Sequence, residues 1–262
     1  MRPADAIESA FEGFMSDDGY SRACRFLATD CDRWVEFDEY REAIRGAVLA
    51  ARERLGGAAL VGADLACGEY AWLARQFREE FHELYLLDRS VAARDATKSL
   101  QGDGVHFFLG DASEILPQLP GVDFVYAGFS FYREFVSALK AALEPSGSFF
   151  VMVPVDGDDL RWREQVSGRT LADRALELLA IESELRRHFT VSSDERSFHW
   201  VFAESEIPRL VAASAVVCFG WDRLSTGRID DLTDIVRSLV DRVDGGAVTL
   251  SQKAVLWHGR MT

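Results

Sequence analysis

No stretch of this sequence is long and apolar enough to cross a bilayer. The longest apolar run, Leu210 to Trp221, is interrupted and falls short of the ~20 residues that a span needs. Basic clusters are also missing. The only doublet is Arg186-Arg187, in a chain with 29 Lys+Arg against 43 Asp+Glu and a formal net charge of −14. Grouped cations hold phosphate backbones and anionic lipid surfaces, so neither nucleic acid nor a membrane is an expected partner. Cysteine is sparse: Cys24, Cys31, Cys67 and Cys218 have no C-x-x-C spacing and no nearby histidine pair. They read as small buried side chains, and neither a disulfide framework nor a metal site is expected. The opening residues MRPADAIESAFEGF carry acids throughout and lack an apolar core, so they do not read as a signal peptide. The expected location is the cytoplasm.

What is present is a globular α/β pattern. A chain of 262 residues, 48% of them apolar, can bury roughly 70–75% of the surface its unfolded form exposes. Ile7, Phe11, Phe14 and Met15 predict a short helix ended by Asp17-Asp18-Gly19. Phe37, Tyr40, Ile44, Val48, Ala51 and Leu55 recur at three- and four-residue steps, which predicts a longer helix stopping at Gly56-Gly57. Residues 1–57 therefore read as a helical arm or lid.

After Gly57, short apolar runs alternate with helical stretches. The runs are Ala59 to Leu65, Leu84 to Leu87, Val105 to Leu109, Val122 to Ala127 and Phe149 to Val153. Helices are predicted over Tyr70 to Phe81, Val91 to Leu100 and Phe131 to Leu143. Such alternation implies right-handed crossovers and a doubly wound, mostly parallel sheet covered on both faces. Beyond Pro154 the pattern loosens. Asp156 to Thr170 reads as a loop, Leu171 to Phe189 as an inserted helix, and Phe198 to Phe202 as a short extended segment. Val216 to Phe219 reads as the sixth strand, Leu232 to Val243 as a final helix, and Ala247 to Trp257 as the last strand. Residues 155–204 would then be an insert between strands five and six, and 58–262 one structural domain.

In an open parallel sheet, ligands collect at the carboxyl ends of the strands where strand order reverses. Four such ends carry a pattern here. The first is Asp64-Leu65-Ala66-Cys67-Gly68-Glu69-Tyr70, whose small residues let backbone N–H groups approach a ligand before a helix begins. The second strand ends in Asp88, followed by Arg89, and an acid there can accept both hydroxyl protons of a ribose. The third ends in Gly110-Asp111-Ala112, where a carboxylate could accept from an adenine amino group. The fourth runs from Asp123 into Tyr126-Ala127-Gly128, again with small residues toward the cleft.

In order and spacing, these elements resemble the class I S-adenosylmethionine-dependent methyltransferases, across about residues 58 to 155 and more loosely to the C-terminus. GADLACGEYAWL is similar to the family's glycine-rich first motif, YLLDRS to its acidic second-strand end and FFLGDASEIL to its adenine-contacting third. VDFVYAG resembles the fourth strand, LEPSGSFFVMV the fifth, and AVTLSQKAVLWH the final antiparallel strand beside the sixth. The resemblance implies a seven-stranded sheet, S-adenosylmethionine as cofactor, and Asp64, Ala66, Gly68, Asp88, Arg89, Asp111, Ala112 and Ala127 as the residues around it. The sequence departs from the family's three first-motif glycines at Ala66 and Tyr70, and Glu69 adds an acid near the expected methionine carboxylate. Tyr70 must point away from the cofactor or lie over it. A nicotinamide-binding dehydrogenase would need G-x-G-x-x-G, which Gly62 and Gly68 do not supply.

The expected chemistry is in-line methyl transfer to an O or N atom of a small molecule. His199 and Tyr132 are the candidate catalytic groups, each with a plain alternative: a solvent-facing polar residue for His199, and core packing for Tyr132. His82, His106, His188 and His258 read as peripheral or structural. Phe14, Tyr20, Trp162 and Trp200 are candidate substrate-binding residues, since aromatic walls suit an apolar or aromatic molecule. Two other readings stay open. One is a non-catalytic S-adenosylmethionine-binding or partner subunit, and the other is a methyltransferase-fold enzyme catalysing a different reaction. A homodimer is an open option.

Overall fold

Near-continuous apolar runs form strands buried on both faces, and seven strands are present in a computed structural model that describes residues 3–14, 19–28, 35–167, 171–219 and 226–261. The strands are β1 (Leu60–Leu65), β2 (Phe81–Asp88), β3 (Val105–Leu109), β4 (Val122–Gly128), β5 (Leu143–Gly157), β6 (Phe189–Ala203) and β7 (Ala247–Met261). The helices are α1 (Pro3–Glu12), α2 (Gly19–Ala28), α3 (Phe37–Arg54), α4 (Trp72–Phe77), α5 (Val91–Ala96), α6 (Ala112–Ile115), α7 (Arg133–Ala142), α8 (Asp158–Ser167), α9 (Leu171–His188), α10 (Ile207–Phe219) and α11 (Thr226–Val240).

The sheet order is β3-β2-β1-β4-β5-β7-β6. β1 pairs in parallel with β2 and β4, β2 with β3, and β4 with β5. Order reverses beside β1, so the crevice between the carboxyl ends of β1 and β4 is the switch point where ligands bind in such sheets. Leu65 lies opposite both Leu87 and Ala127, and Asp88 opposite Leu109, which brings the four strand ends to one level.

The chain divides into two units. One comprises Met1–Phe37, Val155–Arg174 and Ser197–Lys253; the other comprises Asp38–Pro154, Ala175–Arg196 and Ala254–Thr262. The early parts of β5 and β6 share a unit with the late part of β7, so β7 runs against its two neighbours. This is the antiparallel final strand that the resemblance implied.

Several expectations change. Val216 to Phe219 is not a strand. It ends α10, in which Leu210, Val211, Ala212, Ala213, Ala215 and Val216 are all buried, and a largely apolar stretch of this length, broken only by Ser214, suits a buried helix. An insert does lie between strands five and six, consisting of α8 and α9, but it is shorter than 155–204: the sixth strand is β6, which begins at Phe189 and has Phe198 to Phe202 as its second half. Asp156 to Thr170 contains α8, fixed at its start by Asp158, which accepts from Arg242 Nη1 at 2.8 Å and from the Ser251 N–H at 2.8 Å. The arm does not end at residue 57, since α3 belongs with the strands and the unit boundary follows Phe37. Cys67 is buried and free; Cys31 lies outside the described residues, as do the side chains of Cys24 and Cys218. Among the described residues, no helix is long and apolar enough to cross a membrane and no group of three metal-binding side chains occurs.

In the strand-rich unit, Phe124 on β4 has no exposed surface and meets the Phe81 ring at 6.3 Å between centroids. Phe124→Ala is expected to cost about 3–5 kcal/mol, read from urea unfolding midpoints with an unchanged slope.

Candidate cofactor site

The loop after β1 owes its shape to backbone conformation. Ala66 and Gly68 have φ of 50° and 57°, and Ala71, at the start of α4, has 49°. Left-handed φ is strained for alanine, so the glycine preference at position 66 in the family has a visible cause. A Cβ built on Gly68 would meet nothing within 4 Å, so the loop has open space beside it.

Asp88 closes this loop onto β2. Its Oδ2 accepts the Gly68 N–H at 2.8 Å and its Oδ1 accepts the Ser90 N–H at 2.8 Å. The Cys67 N–H goes to the Leu87 carbonyl at 3.2 Å. The N–H groups of Cys67 and Gly68, expected to face a ligand, are therefore used inside the protein. Each Asp88 oxygen keeps a further lone pair for a hydroxyl. Asp111 caps α6: its Oδ1 accepts from the Ser113 N–H at 2.9 Å and from Ser113 Oγ at 2.7 Å, and Arg89 Nη2 stands 3.7 Å from its Oδ2. The hydrogen bonds from the Ser113 side chain and backbone, with the nearby Arg89, hold the Asp111 carboxyl below its ordinary value against slight desolvation.

Tyr70 points away from the loop. Its hydroxyl accepts from Gln76 Nε2 at 2.9 Å, its ring lies 5.0 Å from that of Trp72, and Arg75 covers it at 5.6 Å. Trp72 also meets Tyr40 of α3 edge-on at 5.5 Å. The Tyr40 and Tyr126 hydroxyls are 2.5 Å apart, and Tyr126 lies beside Asp64 across the β1/β4 pair. A Cβ at Gly128 would strike the Tyr126 hydroxyl, which explains the glycine there. Sequence reasoning treated Tyr40 only as core; its hydroxyl was the one signal that the helix face held more.

Asp64 is 1% exposed and accepts the Leu73 N–H at 3.2 Å. Burial, partly offset by that hydrogen bond and reinforced by Asp88, raises its carboxyl from 3.8 to about 8. Of the other expected contacts, Ala112 is buried and Ala127 has no exposed surface, so Ala127 is sheet core rather than a cleft wall. Tyr132 precedes α7, is 47% exposed and touches Phe135 at 5.8 Å between centroids. Its side chain is therefore not buried in the core.

The remaining candidates belong to the other unit. His199 donates its N–H to Glu36 Oε2 at 2.8 Å, and its Nδ1 lies 2.6 Å from Glu36 Oε1. A carboxylate only accepts, so Nδ1 carries the proton and Nε2 is left as the basic nitrogen. Glu36 was not foreseen, since it stands 163 positions from its partner. Phe14 and Trp200 are buried, Phe14 under Arg209 at 6.0 Å and Trp200 against Phe202 at 6.4 Å. They pack the unit's core and do not line a binding wall. Tyr20 is exposed and Trp162 half-buried.

No family model matches the sequence, and no curated protein does. Solved structures do match. A protein of Anaeromyxobacter dehalogenans, provisionally named a type II methyltransferase, superposes with a TM-score of 0.54 at 14% identity, over 84% of this chain and 95% of the other. The YcgJ protein of Bacillus subtilis gives 0.51 at 13% identity, over 83% and 99%. The fold is that of the class I S-adenosylmethionine-dependent methyltransferases.

The Asp64 carboxyl sets a pH dependence. Between the unfolded value of 3.8 and the folded value of about 8, the folded chain holds a proton that the unfolded chain has lost. Asp64 thus lowers stability as pH rises through that window. Asp64→Asn is expected to flatten this decline, which urea midpoints measured at about pH 5, 7 and 8 would register.

Proposed function

We propose that the protein is an S-adenosylmethionine-dependent methyltransferase acting on an O or N atom of a small molecule. The observation that carries this reading is the Asp88 carboxylate at the end of β2, bonded to Gly68 of an open, left-handed loop at the switch point. An acid so placed can take the two ribose hydroxyls, and Asp111 at the next strand end has unused lone pairs for the adenine edge. The buried Asp64 carboxyl stands behind the loop and holds the Leu73 N–H of α4.

S-adenosylmethionine supplies a methyl group already activated by its sulfonium. What the chain must then do is hold the acceptor in line at ~3 Å, an alignment worth up to ~7–11 kcal/mol. An amine needs no dedicated base, whereas a hydroxyl gains from one. Tyr132, exposed just before α7 in the strand-rich unit, is our candidate polar group beside the acceptor.

Calorimetry tests the core of this reading. S-adenosylmethionine and S-adenosylhomocysteine are expected to bind, with affinity about tenfold or more weaker in Asp88→Ala, the equivalent of about 1.4 kcal/mol. Absent binding, or binding unchanged in that variant, overturns it. Binding without turnover on a panel of hydroxyl and amine compounds would favour a non-catalytic subunit.

A further inference from the structure

The strand-rich unit gathers cations at a place away from the carboxyl ends of its strands. Arg54, in the last turn of α3, donates from Nη2 to Ser148 Oγ at 2.7 Å, and Ser148 on β5 is fully buried. Ser148 lies opposite Phe124 and well before the end of β5, on the amino-terminal side of the Phe150 and Met152 positions that pair with the end of β4. On β7, the Cβ position of Gly259 abuts the Phe149 ring, so Gly259 and Phe149 share a face. Side chains alternate along strands. His258 and Arg260 therefore face the same side as Ser148, the side from which Arg54 reaches in. β6 adds a hydrogen bond from Ser192 Oγ to the His258 carbonyl at 3.1 Å.

These cations lack acidic partners. Arg52, Arg186, Arg187, Arg237 and Arg242 each have a carboxylate within ion-pair distance. Among the described residues, Arg54 and Arg260 have none, and the neighbours that act on them and on His258 are positive. Arg260 holds the Arg54 guanidinium below its ordinary value, after the effect of partial burial. Burial first, then Arg54 and Arg260, hold the His258 imidazole below its own. Arg54 spends one of its five N–H donors on Ser148; Arg260 spends none on a described side chain or backbone group. Two such guanidinium groups therefore share one face of the sheet in a chain of net charge −14.

We propose that Arg54, Arg260 and His258 form a binding site for a phosphate dianion, either the free ion or the phosphoryl group of a small monoester. Two forked guanidinium groups match phosphate oxygens bidentately, and their summed charge matches a dianion rather than a single carboxylate. The imidazole supplies a further donor or acceptor beside them. Arg54 is the preorganised member, because Ser148 fixes its guanidinium. The site stands apart from the cofactor reading and survives if that reading fails.

Inorganic phosphate, phenyl phosphate and acetate would each be titrated into the full chain at constant ionic strength, following the His258 ring resonances by NMR. The proposal expects a saturating shift with phosphate, at least tenfold weaker in Arg260→Ala and Arg54→Ala and unchanged in Arg94→Ala, a surface arginine paired with Asp95. The Arg260 side chain makes no hydrogen bond or ion pair with a described residue, so its variant is expected to keep the fold, which circular dichroism would check. Tighter saturation by phenyl phosphate assigns a monoester ligand; saturation by phosphate alone assigns the free ion. A response that does not saturate, that acetate matches, or that Arg260→Ala retains overturns the site.

Discussion

One carboxylate, that of Asp88, joins the pieces on which the candidate cofactor site depends. The loop after β1 places alanine and glycine at left-handed φ, and its one large ring, that of Tyr70, packs onto α4, so the loop's own residues give it little preference for one shape. The hydrogen bond from Gly68 to Asp88 Oδ2 supplies that preference, while the other oxygen orders the start of α5 through Ser90. The group that fixes the loop is thus the same group proposed to receive the ligand. Preorganisation of this kind lowers the ordering cost of binding. It also makes Asp88 a residue with both structural and functional weight.

Around that point the polar groups are stacked in depth. Asp64 sits behind the loop without solvent, Tyr126 lies beside it, and Tyr40 reaches from α3 to meet Tyr126. Aromatic rings enclose this line: Phe150 stacks on Tyr126 at 6.4 Å, and Trp72 meets Tyr40 and Tyr70. The low dielectric around these groups is what keeps the Asp64 proton in place near neutral pH. Tyr70 departs from the family's glycine at no cost to the loop, because its ring is drawn onto α4 by Arg75 and Gln76.

Much of the sheet was legible in the sequence because each of its first four strands is a short apolar run with a polar turn after it. The acids at 64, 88 and 111 followed from that frame. The C-terminal third was harder for a physical reason: Leu210 to Val216 is apolar without a period, so strand and helix are equally consistent with Val216 to Phe219 until tertiary packing decides. Polar α8 shows no apolar stripe, and its stability comes from Asp158 and distant Arg242 and Ser251, which no local pattern reveals. Similarly, Phe14 and Trp200 were aromatic and therefore eligible for a binding wall, but burial against their own unit removes them. Pairings such as His199 with Glu36, or Arg54 with Arg260, join residues far apart in the chain and exist only once the fold is formed.

The division into two units has a genetic consequence. Each unit is assembled from three separate stretches of chain, and the boundaries at Pro154, Arg196 and Lys253 fall inside β5, β6 and β7. No single cut in the gene yields either unit as a continuous piece, and an exchange of either with a relative would require three segments to move together.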